Sequence, residues 1–588
     1  MRSRSFGRPA LLISCLWILA VGLFYYPKWK QEGTEATLSW DVSGYYFYLP
    51  ATFIYRDLDR LAFKDSLLAR YRPATSPYQS WQLPNGKWVM KYASGMALMY
   101  SPAFFLAHAL APAFGYPADG FSYPYQLAIG LWSLVVALVG LVFLYRVLRV
   151  YFTGPVSGLT LLLFVFGTNY LEYSAITNAM PHSYLFTVYA LLIWCSIRFT
   201  AAPSRTRALA IGALCGLATI TRPTEAICVL IPLLWGLRSL RELGARIGWL
   251  LKHYALPLAL PFLLLLSIQL GYWKWVSGQW FVYSYGNEKL EWLQPHIYKC
   301  LFSFRKGWFI YTPLMLLVVP GWVLLYRRRR ELFAATLVFG LLFMYLCFAW
   351  VIWWYAGSIG QRAMVQAYPV LAFPFAAALE RILEWLGKTG KKAAKAMLVP
   401  LLAACCCLLV YYNLWLHYQA HTGGLLDPEH MTRAYWQRTV LRYSVPPETV
   451  KLLDTDEAFE GTVKDLEPVL VADRPMELGK DMEFTPAHSF SSDPATHRWV
   501  RAEARIQLQG REDNIWRMTQ FILRFSKGGR KVKERMIRVQ RLLKADESGA
   551  VFFDVRLPRD FDRAEVFFWN PGSTLPLTIT ALRVEAHN

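Results

Sequence analysis

The chain has 588 residues, of which 55% are hydrophobic and 17% charged, and carries a formal net charge of +22. Long apolar runs recur through residue 416, which excludes an ordinary soluble protein. The cationic excess is no nucleic-acid footprint, because no basic stretch is interleaved with aromatic residues on a soluble segment.

About twenty apolar residues span a bilayer core as a helix, and the sequence predicts about eleven such segments. They lie at roughly 10–27, 123–145, 155–171, 182–199, 207–221, 224–240, 250–273, 308–326, 332–354, 364–385 and 397–416. The first resembles a signal peptide in having arginines before an apolar core, but no small-x-small site follows FYYPKWK, so a retained span is expected. Residues 28–122 form a long loop rich in Tyr and Trp, including Trp81 and Trp88. Interfacial aromatics alone account for that enrichment, although a loop this long is more often functional than idle. Within it, ALMYSPAFFLAHALAPAF is short, carries His108 and two prolines, and is expected to form an outer-surface or re-entrant helix.

Orientation follows from Lys and Arg in the short loops. Arg2, Arg4 and Arg8 precede the first span, Arg146 and Arg149 follow the second, and Arg198, Arg205 and Arg207 follow the fourth. Arg238, Arg241, Arg246 and Lys252 come after the sixth, Arg327 to Arg330 after the eighth, and Lys388, Lys391, Lys392 and Lys395 after the tenth. All fall inside if residues 97–114 do not cross, so the odd-numbered spans run outward. The nine cysteines are scattered, with Cys405, Cys406 and Cys407 inside a span and Cys300 outside without an obvious partner. No disulfide framework or zinc spacing is present.

After Leu416 the apolar runs shorten, and alternating stretches at 498–508, 520–526, 534–543, 550–557, 563–569 and 576–585 read as half-buried strands. Turn-forming SKGG, ADESG and NPGS separate several of them. The fold class expected is thus a membrane all-α bundle over 1–416 with a C-terminal extracytoplasmic β-sandwich over 417–588. Trp516 and Trp569 are either carbohydrate contacts or core residues of that domain.

Charged side chains are almost absent from the spans, so a proton or ion relay through the bilayer has little to run on. A lipid or glycan transporter or flippase moving uncharged cargo through a polar cavity stays open as the alternative to an enzyme. A structural assembly partner that docks through its β domain is a third reading.

The block WDVSGYYFYLPATFIYRDL resembles the first-loop motif of polytopic glycosyltransferases of the GT-C superfamily. KYASGMALMYSPAFF, TNAMPHSYLF, ITRPTEAICVLIP, YSYGNEKLEW, FSFRKGWFIYTP and WWYAGSIGQRAMVQAYPVLAFP resemble blocks of bacterial members related to protein mannosyltransferases and to aminoarabinose transferases of lipid A. The likeness covers roughly residues 10 to 416. It implies a GT-C-like bundle that takes sugar from a polyprenyl-phosphate donor and transfers it, with inversion, to an extracytoplasmic protein, lipid or glycan. For a bacterium it implies an inner-membrane protein in contact with membrane lipids.

In that superfamily an Asp after the first helix is catalytic, and Asp41 occupies the matching position. A carboxylate in reach of an acceptor hydroxyl takes its proton as attack proceeds, whereas the bland role for Asp41 is a helix cap. The leaving lipid phosphate needs cations more than a proton. Arg362 in GSIGQR is the first candidate, with a headgroup anchor as the alternative. Arg222 in TRPTE is another, with a salt bridge to Glu225 closing the hairpin as the alternative. Arg305 and Lys306 lie outside against the usual charge rule; they contact phosphate or an anionic acceptor, or merely snorkel. Lys91 is weighed in the same way.

Tyr285, Asn287 and Glu288 suit sugar hydroxyls, and a surface turn at Gly286 explains them equally well. Glu172 and His182 are a second base, or orient Asp41, or are structural. The WDVSG block has a single Asp, Asp57 and Asp59 come a helix later, and the DE pair of protein mannosyltransferases is missing. No metal or other cofactor is therefore expected; a divalent ion is possible but unsupported.

Overall fold

The structure is a computed structural model that describes residues 6–588 apart from 240, 389–391, 456, 458, 460, 462, 464, 465, 480, 511, 513 and 545. Arg2, Arg4 and Lys391 of the charge pattern lie outside the described residues, as do the side chains of Lys392 and Lys395. The chain divides into two compact units, one ending at His421 and the other starting at Thr422.

The first unit is helical and integral to a membrane. Seven of its helices are long and apolar enough to cross: Gly7–Lys30, Tyr123–Tyr151, Pro181–Ala201, Glu242–Ser277, Arg330–Phe348, Arg362–Lys388 and Ala396–Gly423. They cover seven of the expected segments. Those expected at 155–171, 207–221, 224–240 and 308–326 are shorter or interrupted helices: Gly154–Gly167, Arg205–Thr221, Pro223–Leu234 and a run broken between Tyr311 and Pro313. The end at Thr221 falls where expected, before Arg222 and Pro223, whereas apolar length does not anticipate the breaks at Thr168 and Thr312, where extended or irregular backbone takes over. Non-helical backbone is tolerated at membrane depth only where protein buries it or a cavity adjoins it.

Burial separates central from peripheral helices. The helix Tyr368–Lys388 is buried continuously from Tyr368 to Leu379. Glu242–Ser277, in contrast, buries only Gln269, Tyr272, Trp273 and Val276 and leaves Leu251, Leu256, Leu263 and Leu264 exposed. Such an apolar surface is a liability in water and ordinary against lipid tails. This helix stops at Gly278, whose φ of +77° supplies the left-handed turn that ends helices.

Close packing relies on absent side chains. A Cβ on Gly321 would lie 1.9 Å from the Pro374 carbonyl oxygen, so the helix Val318–Arg328 touches the backbone of the central helix there. Small residues at such crossings let two backbones approach and gain dispersion contacts.

The long loop is ordered over one end of the bundle. Its helix Gly95–Leu110 sets Gly95 against Thr221, donates from the Tyr100 hydroxyl to the Ala179 carbonyl, and brings His108 Nδ1 within 2.7 Å of the Tyr125 hydroxyl. It therefore runs across the starts of the helices at Tyr123 and Pro181 and the end of the one at Thr221, leaving Phe105, Leu106 and Leu110 exposed.

The second unit is built on antiparallel β-sheets. With β1 (Ser80–Gln82) and β2 (Trp88–Met90) forming a hairpin in the long loop, its strands are β3 (Glu467–Ala472), β4 (Met476–Leu478), β5 (His488–Phe490), β6 (Trp499–Leu508), β7 (Gln520–Lys527), β8 (Arg530–Arg538), β9 (Ser548–Arg556), β10 (Arg563–Trp569) and β11 (Leu577–His587). One sheet runs β5-β10-β7-β8; the other runs β3-β11-β6-β9, with β4 also on β11. Alternating burial along β6 sends Val500, Ala502, Ala504 and Ile506 inward, and residues of both sheets join one hydrophobic cluster in which Phe521 meets Phe553 edge-on at 5.3 Å. Strands β4 and β5, of three residues each, are too short for alternation to register, β3 has no alternating burial, and the second half of the stretch expected at 534–543 is a helical turn, Val539–Leu542. Trp569 is half-buried, parallel to Phe484 at 6.1 Å, while Trp516 is exposed.

The Gly321 crossing is directly testable. Gly321→Ala forces the helix off the Pro374 carbonyl, and overpacking of this kind destabilises by about 1–3 kcal/mol. The unfolding midpoint of the detergent-solubilised protein should fall by several degrees; an unchanged midpoint rules out the close contact.

Candidate functional site

Asp41 sits in the first turn of the short helix Trp40–Tyr46. The preceding residue, Trp40, takes a left-handed φ of 47°, an uncommon conformation for a bulky side chain, and its amide donates to the Pro73 carbonyl at 2.8 Å. Backbone strain thus sits next to the carboxylate.

Among the described residues, the Asp41 carboxylate accepts no hydrogen bond from its own helix. Oδ2 accepts from Arg362 Nη2 at 2.8 Å, and Oδ1 accepts from the hydroxyls of Tyr92 at 2.7 Å and Tyr78 at 3.0 Å. Burial opposes its ionisation, but the Arg362 guanidinium, the Tyr92 hydroxyl, Lys91 and the Tyr78 hydroxyl together outweigh that and hold the carboxyl below the usual carboxylate range. Burial first, and then the Asp41 charge, push the Tyr78 and Tyr92 hydroxyls up, so both stay protonated and donate. The Asp41 side chain nevertheless keeps 21% of its surface accessible, and a carboxylate has about four lone-pair positions. An approaching hydroxyl therefore finds an ionised acceptor with capacity to spare.

Arg362 opens the tight turn Arg362–Ala367 at the start of the central helix. Its side chain is 15% exposed, and its Nε is buried with no hydrogen-bond partner. The guanidinium is anchored on Asp41 through one nitrogen, and the part of it that stays accessible is what a ligand oxygen would meet.

Lys91 forms an ion pair with Glu288 at 2.6 Å and lies within 6 Å of the Tyr78, Tyr92 and Tyr285 rings. Tyr285 is edge-on to Tyr92 at 6.0 Å and lines a cavity of about 550 Å³ together with Arg222, Glu225, Trp273, Phe343 and Tyr355. Arg222 has no carboxylate within 4.0 Å among the described residues. Glu225, the partner of Arg222 in the alternative reading, instead accepts from the Tyr189 hydroxyl and, at 2.5 Å, from Gln366 Nε2. His182, buried at the start of its helix, has Nδ1 3.1 Å from Gln366 Oε1.

Other candidates stand further off. Arg305 lies over the Trp354 ring at 3.9 Å, and Lys306 donates to the Ser358 carbonyl, so both are engaged by the segment that leads to Arg362. Glu172 faces His421 at 2.8 Å and His417 at 3.4 Å, both from the last span. Asn287 is exposed in the turn at Gly286, whose φ is +61°. The residues that sequence reading passed over are Tyr78, Tyr92 and Gln366. For Tyr92 the signal was present, since it follows Lys91 in the KYASG block. Among the described residues no group of three or more His, Cys, Asp or Glu is placed to hold a metal ion.

Residues 124–265 match the family model described as dolichyl-phosphate-mannose-protein mannosyltransferase, a family of GT-C type. The chain is thus similar to GT-C glycosyltransferases by family match as well as by its sequence blocks. Among curated proteins no sequence match was found. Solved structures that resemble it include the archaeal oligosaccharyltransferase AglB from Archaeoglobus fulgidus in complex with an inhibitory peptide and a dolichol-phosphate, at TM-score 0.40 and 11% identity over 71% of this chain and 56% of that one. The apo form of the Archaeoglobus fulgidus oligosaccharyltransferase gives 0.37 and 11% over 71% and 55%. The arabinosyltransferase EmbB from Mycobacterium smegmatis gives 0.27 and 13% over 84% and 64%. This chain therefore spans less than two thirds of the length of each.

Removing the guanidinium should expose the balance of forces on Asp41. In Arg362→Met the burial penalty is no longer offset by the largest favourable charge, so the Asp41 carboxyl should protonate at higher pH. Carbodiimide labelling of Asp41, followed by mass spectrometry across pH 4–7, reads the shift; identical profiles in both proteins refute the pairing.

Proposed function

We propose that the chain is an integral-membrane glycosyltransferase that moves a sugar from a polyprenyl-phosphate donor to an extracytoplasmic acceptor hydroxyl, with inversion. The observation that carries this reading is the ionised, partly accessible Asp41 carboxylate held by Arg362, Tyr92 and Tyr78 beside a cavity whose wall bears Arg222. The family match over residues 124–265 supports the same class of reaction.

In this mechanism the acceptor oxygen attacks the anomeric carbon from the face opposite the phosphate. The bond to the phosphate oxygen breaks as the new glycosidic bond forms, and Asp41 takes the acceptor proton. The departing lipid phosphate is already a weak base, so it needs positive charge rather than a proton. Arg222 and the partly accessible Arg362 guanidinium are the groups suited to supply it. The aromatic cavity wall fits a donor with a lipid tail and a polar head, and the Lys91–Glu288 pair and Tyr285 are placed for sugar hydroxyls. By the charge pattern of the loops, Asp41, Arg222, Arg362 and the C-terminal unit are extracytoplasmic, which in a bacterium means the periplasmic side of the inner membrane.

Asp41→Asn keeps the shape and removes the base. Transfer from a radiolabelled polyprenyl-phosphate sugar in proteoliposomes should fall by about 10²–10⁴-fold, while photo-crosslinking to the donor persists. Full transfer by the variant refutes the assignment of the base; lipid translocation without transfer in the wild type favours a flippase. Arg222→Met should weaken donor binding by about tenfold or more, the value of a charged hydrogen bond, with a smaller effect on acceptor KM.

A further inference from the structure

A buried polar chain outside the reacting groups joins the two turns that carry the site's arginines. Glu225 lies in the turn Pro223–Val229 directly after Arg222, and its amide donates to the Arg222 carbonyl at 2.8 Å. Gln366 lies in the turn Arg362–Ala367, four residues beyond Arg362. Gln366 Nε2 donates to Glu225 Oε1 at 2.5 Å, Tyr189 donates to Glu225 Oε2, and Gln366 Oε1 faces His182 Nδ1 at 3.1 Å. All four side chains are at most 2% exposed.

An amide is the side chain that suits this place. It donates to a carboxylate on one side and accepts from an imidazole N–H on the other, so His182 must carry its proton on Nδ1. A carboxylate at 366 would meet Glu225 with like charge, and an apolar side chain would leave a buried carboxylate oxygen without its donor. The same bond has an electrostatic effect. Glu225 is three residues from Arg222, within ordinary reach of a local ion pair, yet both of its oxygens are occupied elsewhere and Arg222 faces the cavity without a carboxylate within 4.0 Å among the described residues.

The geometry points to Gln366 and Glu225 as positioning residues: their bond fixes the turn bearing Arg362 against the turn bearing Arg222, and withholds Glu225 from Arg222 so that this cation stays available to an anionic donor headgroup. This rests on the proposed function for the identity of the donor, but the electrostatic consequence is a binding effect that is measurable without turnover.

The test uses the full-length protein in nanodiscs with polyprenyl phosphate as the probe, alongside transfer kinetics. Gln366→Met should free Glu225 to neutralise Arg222 and raise the Kd for polyprenyl phosphate and the donor KM by about tenfold. Adding Glu225→Gln to Gln366→Met should recover most of the lost affinity, a non-additivity expected of coupled neighbours. A structural role alone predicts the opposite: the double variant at least as impaired as either single one, with a lower thermal midpoint. An unchanged Kd in Gln366→Met, or no recovery on adding Glu225→Gln, overturns the inference. If the wild type binds polyprenyl phosphate but transfers no sugar, the proposed reaction fails while the binding series still decides the role of the bond.

Discussion

The contact between Asp41 and Arg362 links positions 321 residues apart at 2.8 Å and organises the site around it. A carboxylate this enclosed is not stable as an anion on its own, because leaving water costs more than any single neutral hydrogen bond returns. The guanidinium and two tyrosine hydroxyls together make it so, and each comes from a different segment: the start of the central helix, the loop before β1 and the loop after β2. The ordered loop over residues 28–122 is therefore part of the electrostatics of Asp41 as well as a cover for the bundle end.

Legibility in the sequence followed the physical origin of each feature. Long spans were readable because apolar length against a bilayer is a local property. The interrupted helices were legible only in part: the end at Thr221 was marked by Arg222 and Pro223, and Pro313 follows the break at Thr312, whereas the end at Thr168 adjoins partners remote in sequence, such as the Ile359 carbonyl that receives the Asn169 amide at 3.0 Å. Asp41 and Arg362 stood out by their contexts, a lone acid after a first span and an arginine in a glycine-bearing turn. Tyr78 was hidden by the general enrichment of tyrosine near membrane surfaces, whereas Tyr92 stood next to Lys91 in the KYASG block without being singled out. Gln366 was hidden for a different reason: one amide inside VQAYPVLAF carries no local sign that it will bond a carboxylate 141 positions earlier.

Glu172 shows how a good candidate can be assigned elsewhere by tertiary structure. It is buried, acidic and near the site in sequence reading, yet it faces His421 and His417 of the last span, and the ring of His421 packs against Tyr26 at the end of the first. That cluster joins the chain's first and last membrane helices. Arg305 and Lys306 are similar: cations that read in the sequence as exceptions to the charge rule, they serve the segment before Arg362, through the Trp354 ring and the Ser358 carbonyl.

The distribution of opposite charge explains why so few cations suffice. Lys91 is balanced by Glu288 and Arg362 by Asp41, whereas the acid beside Arg222 is turned toward Tyr189 and Gln366. Neutralised pairs orient groups without attracting an anion, and a guanidinium with no carboxylate in direct contact, in an aromatic-walled cavity, attracts one more strongly because little water is present to screen it. Separation of the two tasks follows. Under the proposed function one arginine shapes the base while a second, kept apart from its nearest carboxylate by an amide, is left to meet a charged headgroup, and buried hydrogen bonds rather than the mobile ends of exposed side chains tie their two turns together.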